Sequence, residues 1–143
     1  MIENEDDSPS PVEEDPQKYQ EEETPLAIIT LSTATFSGGR KLAGCISNKL
    51  GYKVVSREDI IDKAAHYGMS RSRLERAHRR HIGILGRMDL EWKHYLIYSR
   101  AALSKEIQEG SLVYLGDDGR AALRDFPNVL HVRVGADIEH RVE

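Results

Sequence analysis

One cysteine, Cys45, is all the sequence contains. A lone thiol rules out an intrachain disulfide and any zinc centre built from several cysteines. Its place among periodic apolar residues predicts a buried, inert thiol. Long apolar runs are missing as well: nothing approaches the ~18 residues of a membrane span. The N-terminus lacks a basic lead and an apolar block, so no secretory signal is read there. A soluble, cytoplasmic protein without membrane contact is the expectation. No G-x-S-x-G surrounds Ser37, and no Ser/His/Asp nucleophile arrangement is readable. The histidines His66, His78, His81 and His94 have no cysteine or carboxylate at ligand spacing, which predicts solvated or packed imidazoles.

What is present divides in two. Residues 1–25 hold ten acids against the single base Lys18, a net of −9, while the remainder holds 19 bases and 14 acids, a net of +5. Ser8-Pro-Ser-Pro11 and two acidic runs leave that first segment almost no large apolar residue to bury. Such a segment cannot offset its ordering entropy, so residues 1–25 read as a disordered acidic tail. It acts either as a solubiliser or as a contact for basic surface such as Arg71–Arg80. Residues 26–143 are long enough for one domain with one core.

That domain alternates between two periods. Leu26–Leu31, Lys53–Val55, Ser111–Leu115 and Val129–Val134 read as short strands, the first buried on both faces. Arg40–Leu50 has helical periodicity in Leu42, Cys45, Ile46 and Leu50, with Gly51 as its stop. Ser56 with Asp59 forms a capping-box variant for a helix running to Gly68, and Ser72 with Glu75 repeats that spacing. A long helix is predicted over 88–109, with Leu96, Leu103 and Ile107 on a buried stripe extended by Leu90, Ile97 and Ala101. A short helix follows Gly116, and Asp137 caps another. Strands alternating with helices predict a three-layer α/β/α fold around a mainly parallel sheet. Ligands then bind at the strand carboxyl ends, which are 32–40, 56–59 and 116–120.

The first of these ends carries the strongest signal. Leu31-Ser-Thr-Ala-Thr-Phe-Ser-Gly-Gly-Arg-Lys41 lies between a strand and a helix. Glycines there turn backbone N–H groups toward an anion, and the helix dipole assists. Arg40 and Lys41 oppose that dipole at a cost of about a few tenths of a kcal/mol unless an anion is bound. Against a Walker A pattern with its second glycine on Gly39, Ala34, Arg40 and Lys41 all differ. On spacing alone, an ordinary strand–turn–helix is the favoured reading. Asp117 and Asp118 follow an apolar strand in a Walker B-like place, as Mg²⁺ holders or as turn residues capping the next helix. Arg57 is either a phosphate contact or a solvated first-turn residue. Arg71–Arg80 has few interleaved aromatics, so nucleic-acid binding is not expected there; an exposed face or a homodimer surface is.

Taken in order, Ile28-Ile-Thr-Leu-Ser32, Ser37-Gly-Gly-Arg40, Lys49-Leu-Gly-Tyr52 and Ser56-Arg-Glu-Asp-Ile-Ile61 are similar to the opening of the cytidylate kinase-like family. Its segments there are I-T-I-S-R, G-S-G-G-R, a helix ending in L-G, and D-R-E-I-I. Leu112-Val-Tyr-Leu-Gly116, and Asp125-Phe-Pro-Asn-Val-Leu-His-Val132 through Ala136 to Arg141, resemble later segments. The resemblance implies a P-loop-type fold and ATP-dependent, Mg²⁺-assisted phosphorylation of a nucleoside monophosphate. The implied donor-phosphate site is Ser37, Gly38, Gly39, Arg40 and Lys41, with Arg40 where Walker lysines stand. Arg57 and Arg120 would face the acceptor, Asp117 and Asp118 the metal, and Arg40 and Asp117 the chemistry. Thr33, Phe36, Ser56 and Asp117 depart from the family pattern, the last by reversing a charge. A lid and a final edge strand, which the family carries after the helix beginning here at Asp137, are not in this sequence: either it is a piece of a longer protein, or the natural chain has lost them. A non-catalytic regulatory or protein-interaction module on the same fold is the alternative.

Overall fold

The computed structural model describes residues 26–34, 38–81, 89–137 and 139. The acidic segment 1–25, Ser37, and nearly all of the helix expected from Asp137 lie outside them. Four strands, β1 (Ile28–Thr33), β2 (Lys53–Ser56), β3 (Leu112–Leu115) and β4 (Val129–Val134), form one sheet in the order β2-β3-β1-β4. Every pairing is parallel. The helices are α1 (Gly39–Leu50), α2 (Arg57–Ala64), α3 (Arg71–His81), α4 (Leu90–Glu109) and the single turn α5 (Gly119–Ala122). A 3₁₀ turn, Ala65–Tyr67, extends α2.

The period-2 alternation of the strands assigns each face its helices. Ile28, Leu112 and Tyr114 point into the larger core, with Ile60, Leu74, Tyr95, Leu103 and Leu123. Leu31 and Val113 point the other way and meet Ala43 and Ile46 of α1. The outcome is the expected three-layer α/β/α arrangement around a parallel sheet. Strand β3 is buried on both faces, as its unbroken apolar run requires.

Helix starts and stops follow the local chemistry. Ser56 accepts from the Asp59 backbone N–H, and the Asp59 carboxylate accepts from the Ser56 N–H at 2.9 Å, so the reciprocal cap at α2 is present. Gly51 ends α1 at φ 70°, in the left-handed region that glycine enters freely. The cap read at Ser72 is corrected. The Ser70 carbonyl accepts from Arg73 and Leu74, so Ser70 sits at the boundary and Ser72 lies inside α3. Asp89 caps α4, accepting from the Glu91 N–H at 3.0 Å, and Met88, where the helix was expected to begin, lies outside the described residues.

Two helix phases also differ from expectation. Cys45 is exposed rather than buried. The α1 row facing the sheet begins with Gly39 and Ala43, and Leu42 and Leu50 lie outward. Small residues win this face because they let the helix approach the strands closely. In α4 the buried row is Trp92, Tyr95, Ser99, Ala102, Leu103 and Glu106. Leu90, Ile97 and Ala101 are exposed instead. Polar side chains hold two buried positions because each has partners: Tyr95 donates to Asp118, and Glu106 accepts from Lys53 and Lys63.

Candidate functional site

At the carboxyl edge of the sheet the three predicted loops converge. After β1 the chain re-enters at Gly38, left-handed at φ 74°, and α1 begins at Gly39 with no acidic residue in its first turn. Gly39 is tightly enclosed: a Cβ there would lie 2.1 Å from Thr33 Cγ2 and 2.7 Å from Thr33 Cβ. Only glycine lets the first turn press against the end of β1. Arg40 and Lys41 are exposed beside it. The Arg40 charge also acts on α2: it adds to the influences holding Glu58 and Asp59 below the usual carboxylate range. For Asp59 the largest of these is the Ser56 backbone N–H. For Glu58, burial opposes, and a backbone N–H, Arg57, Ser56 and then Arg40 outweigh it.

The third loop brings Asp117 and Asp118 into different surroundings. Asp117 is exposed, and its Oδ1 accepts from Arg57 Nη1 and from His78 Nε2, both at 3.1 Å. The His78 hydrogen bond is the largest influence holding the Asp117 carboxyl at about 2, with burial opposing and Arg57 assisting. Arg57 also donates to Glu58 Oε1 at 3.2 Å. Burial works against the Arg57 charge, and Asp117 and Glu58 more than restore it. Asp118 is buried and accepts from Tyr95, and from Tyr114 at 2.8 Å. It does not cap α5 with its side chain, so the capping alternative fails for it. Burial first, and the Asp118 carboxylate next, push both phenols above their ordinary value.

Sequence reading missed His78. It is buried on the α3 row that also carries Leu74 and Ala77. Its ring lies 5.5 Å from Tyr95 and 6.3 Å from Trp92, which stack on each other at 5.1 Å. The carboxylate partner that spacing did not supply is Asp117, 39 positions away. A histidine on an apolar row announces a buried imidazole in need of a partner, but nothing local names that partner. Arg57, Asp117, Asp118 and His78 are thus drawn together. Arg120 is exposed on α5 and makes no hydrogen bond or ion pair among the described residues.

Parallel strands whose carboxyl ends lead into a glycine turn and a helix start are the arrangement in which nucleotide sites are found. The model of the cytidylate kinase-like family matches residues 28–143. The chain belongs to the cytidylate kinase-like family. It is therefore a nucleotide kinase-like domain, and the match begins at the first residue of β1. Among solved structures, an uncharacterized protein from Eubacterium ventriosum ATCC 27560 is similar at 16% identity with a TM-score of 0.55. The match covers 80% of this chain and 56% of that one, so the chain spans about half the length of that structure. At that identity the likeness speaks for the fold alone. The comparison with curated proteins found no match. Among the described residues, no helix is long and apolar enough to cross a membrane.

Proposed function

We propose that this domain binds ATP in a P-loop-type site and transfers a phosphoryl group to a nucleoside monophosphate, in a cytoplasmic setting. The observation that carries the reading is the start of α1. Gly38 and Gly39 bring backbone N–H groups to a helix N-terminus free of acids, with Arg40 and Lys41 beside it. Phosphoryl transfer asks a protein mainly for positioning and for charge to stabilise the transferring group. Ser37, Gly38, Gly39, Arg40 and Lys41 would hold the donor phosphates. Asp117 and Asp118 would hold a divalent cation, which neutralises charge developing between donor and acceptor. Arg57 would face the acceptor phosphate after leaving Asp117, with Arg120 on the same rim.

The Arg57–Asp117 ion pair supports a second reading, a non-catalytic module that binds a nucleotide or a protein partner. With that arginine held by Asp117 and Glu58, the acceptor side has less positive charge to offer.

A thermal-shift titration with ATP, CMP and dCMP, with and without Mg²⁺, tests both. A ligand at 100 times its dissociation constant stabilises by about 2.7 kcal/mol, or about 5–10 °C in midpoint. The phosphotransfer reading expects a shift that Arg40→Ala abolishes, followed by product in a kinase assay. A shift without turnover supports the non-catalytic reading. No shift at millimolar nucleotide removes nucleotide binding altogether.

A further inference from the structure

We propose that His78, Asp117 and Asp118 form a binding site for a divalent first-row transition-metal cation of the Zn²⁺ and Co²⁺ kind, which it prefers to Mg²⁺. The site shares its two carboxylates with the phosphotransfer reading, but metal binding is read here without nucleotide. One does not depend on the other.

Geometry is the first support. One ring nitrogen of His78 and one oxygen from each aspartate all lie within 4.8 Å of one another. Two ligands on a metal with bonds of about 2.1 Å stand about 3.0–3.4 Å apart in octahedral or tetrahedral sites. The His78 Nε2 to Asp117 Oδ1 distance of 3.1 Å falls in that range. The donors also come from rigid places. His78 sits within α3 with its ring against Tyr95 and Trp92. Asp118 is fixed by two tyrosine hydroxyls, one on each oxygen. Each of those oxygens keeps a second lone pair for a metal. Phenols bonded to a ligating carboxylate are the kind of outer support that orients metal ligands.

Arg57 supplies the second support. Its Nη1 lies 3.1 Å from Asp117 Oδ1 and 3.5 Å from His78 Nε2. An imidazole nitrogen whose hydrogen goes to Asp117 cannot also accept from a guanidinium. With the ring hydrogen on Nδ1 instead, Nε2 has a lone pair to give, and Nε2, Asp117 Oδ1 and an Asp118 oxygen are then three acceptors beside the Arg57 charge. A metal ion would accept from all three, while Arg57 keeps Glu58, which it already reaches through Nη2 at 3.2 Å. Donor chemistry sets the preference. Magnesium and calcium take oxygen ligands, whereas an imidazole with two carboxylates suits borderline cations.

The test uses the full chain, stripped with chelator and titrated at pH 7 with Zn²⁺ by calorimetry and with Co²⁺ by visible absorption. One equivalent should bind, with Mg²⁺ at least tenfold weaker. Affinity should fall tenfold or more in His78→Gln and in Asp117→Asn. It should rise several-fold in Arg57→Gln, which removes the competing charge, and stay unchanged in Cys45→Ser. Asp117 is exposed, so its variant reports even if the His78 variant does not fold. Binding that survives both ligand variants places the ion elsewhere, the acidic N-terminal residues included, and overturns the proposal. So does the absence of binding at millimolar metal. Equal affinity for Mg²⁺, unaffected by His78→Gln, would leave a plain carboxylate site and overturn it too.

Discussion

Two glycines of α1 respond in opposite directions to the same change. Gly39→Ala would push a methyl against the branched side chain of Thr33, at 2.1 and 2.7 Å. Thr33 is the last residue of β1 and its Cβ cannot swing aside. Overpacking of this kind costs about 1–3 kcal/mol, read as a lower urea midpoint. Gly44, in the middle of the helix, would meet nothing within 4 Å. Gly44→Ala should therefore stabilise by about 0.5–1 kcal/mol through helix propensity. Gly39 was legible as part of a strand–glycine turn–helix, but its contact with Thr33 depends on how closely the helix docks. Asp118 poses a separate test. Tyr95→Phe or Tyr114→Phe each removes one donor from a buried carboxylate, at about 1–3 kcal/mol. Because both act on one group, the double variant should depart from additivity by at least about 0.5 kcal/mol. Additive losses in denaturant titrations would mean that the two phenols do not share Asp118.

Among the elements, α4 and α2 are tied to the start of β2 by Glu106. This buried carboxylate accepts from Lys53 Nζ at 2.7 Å and from Lys63. Burial alone would raise its pKa, but the two lysines outweigh that and hold it below the ordinary value. A carboxyl with a depressed folded value contributes stability that is present above its unfolded value, about 4.3. That contribution is lost as pH falls through the folded value. Glu106→Gln should thus cost about 1–3 kcal/mol at pH 7, and the gap to wild type should close toward pH 3. Urea midpoints for both proteins over that range check it; a constant gap would show that packing rather than charge is lost. This element was only half legible. The length of α4 and its stop at Gly110 could be read from period and composition. Its buried face could not, because Tyr95 and Glu106 look solvent-facing until their partners on other elements are known. In α1 the converse holds: Ile46 faces the sheet as its period predicts, but Leu42, Cys45 and Leu50 lie outward because small residues, Gly39 and Ala43, allow closer packing.

At the scale of the molecule, the order of strands and helices was legible, and with it the edge where the loops meet, because parallel topology fixes that edge whatever the register. His78 was not, since its partner lies across the fold. Charge segregation is the other whole-chain property, and it carries a prediction of its own. Of the α3 arginines, Arg71 pairs with Asp62 and Glu75, Arg73 with Glu91, and Arg80 with Asp89. Arg76 and Arg79 make no ion pair among the described residues, and both are exposed. The same chain carries an N-terminal segment, residues 1–25, with a net of −9. Long-range attraction does not require a fixed contact, so the tail should lower the domain's affinity for any other polyanion. Converting the ten tail acids to amides changes the formal net charge from −4 to about +6. That variant should be retained on heparin at low ionic strength and released steeply as salt rises, because each displaced counterion adds to the slope. Adding Arg76→Gln and Arg79→Gln to it should reduce the retention, while wild type should pass through. Equal retention of wild type and the neutralised variant would mean that the tail does not screen the basic surface, and charge segregation would then have no bearing on what this domain binds.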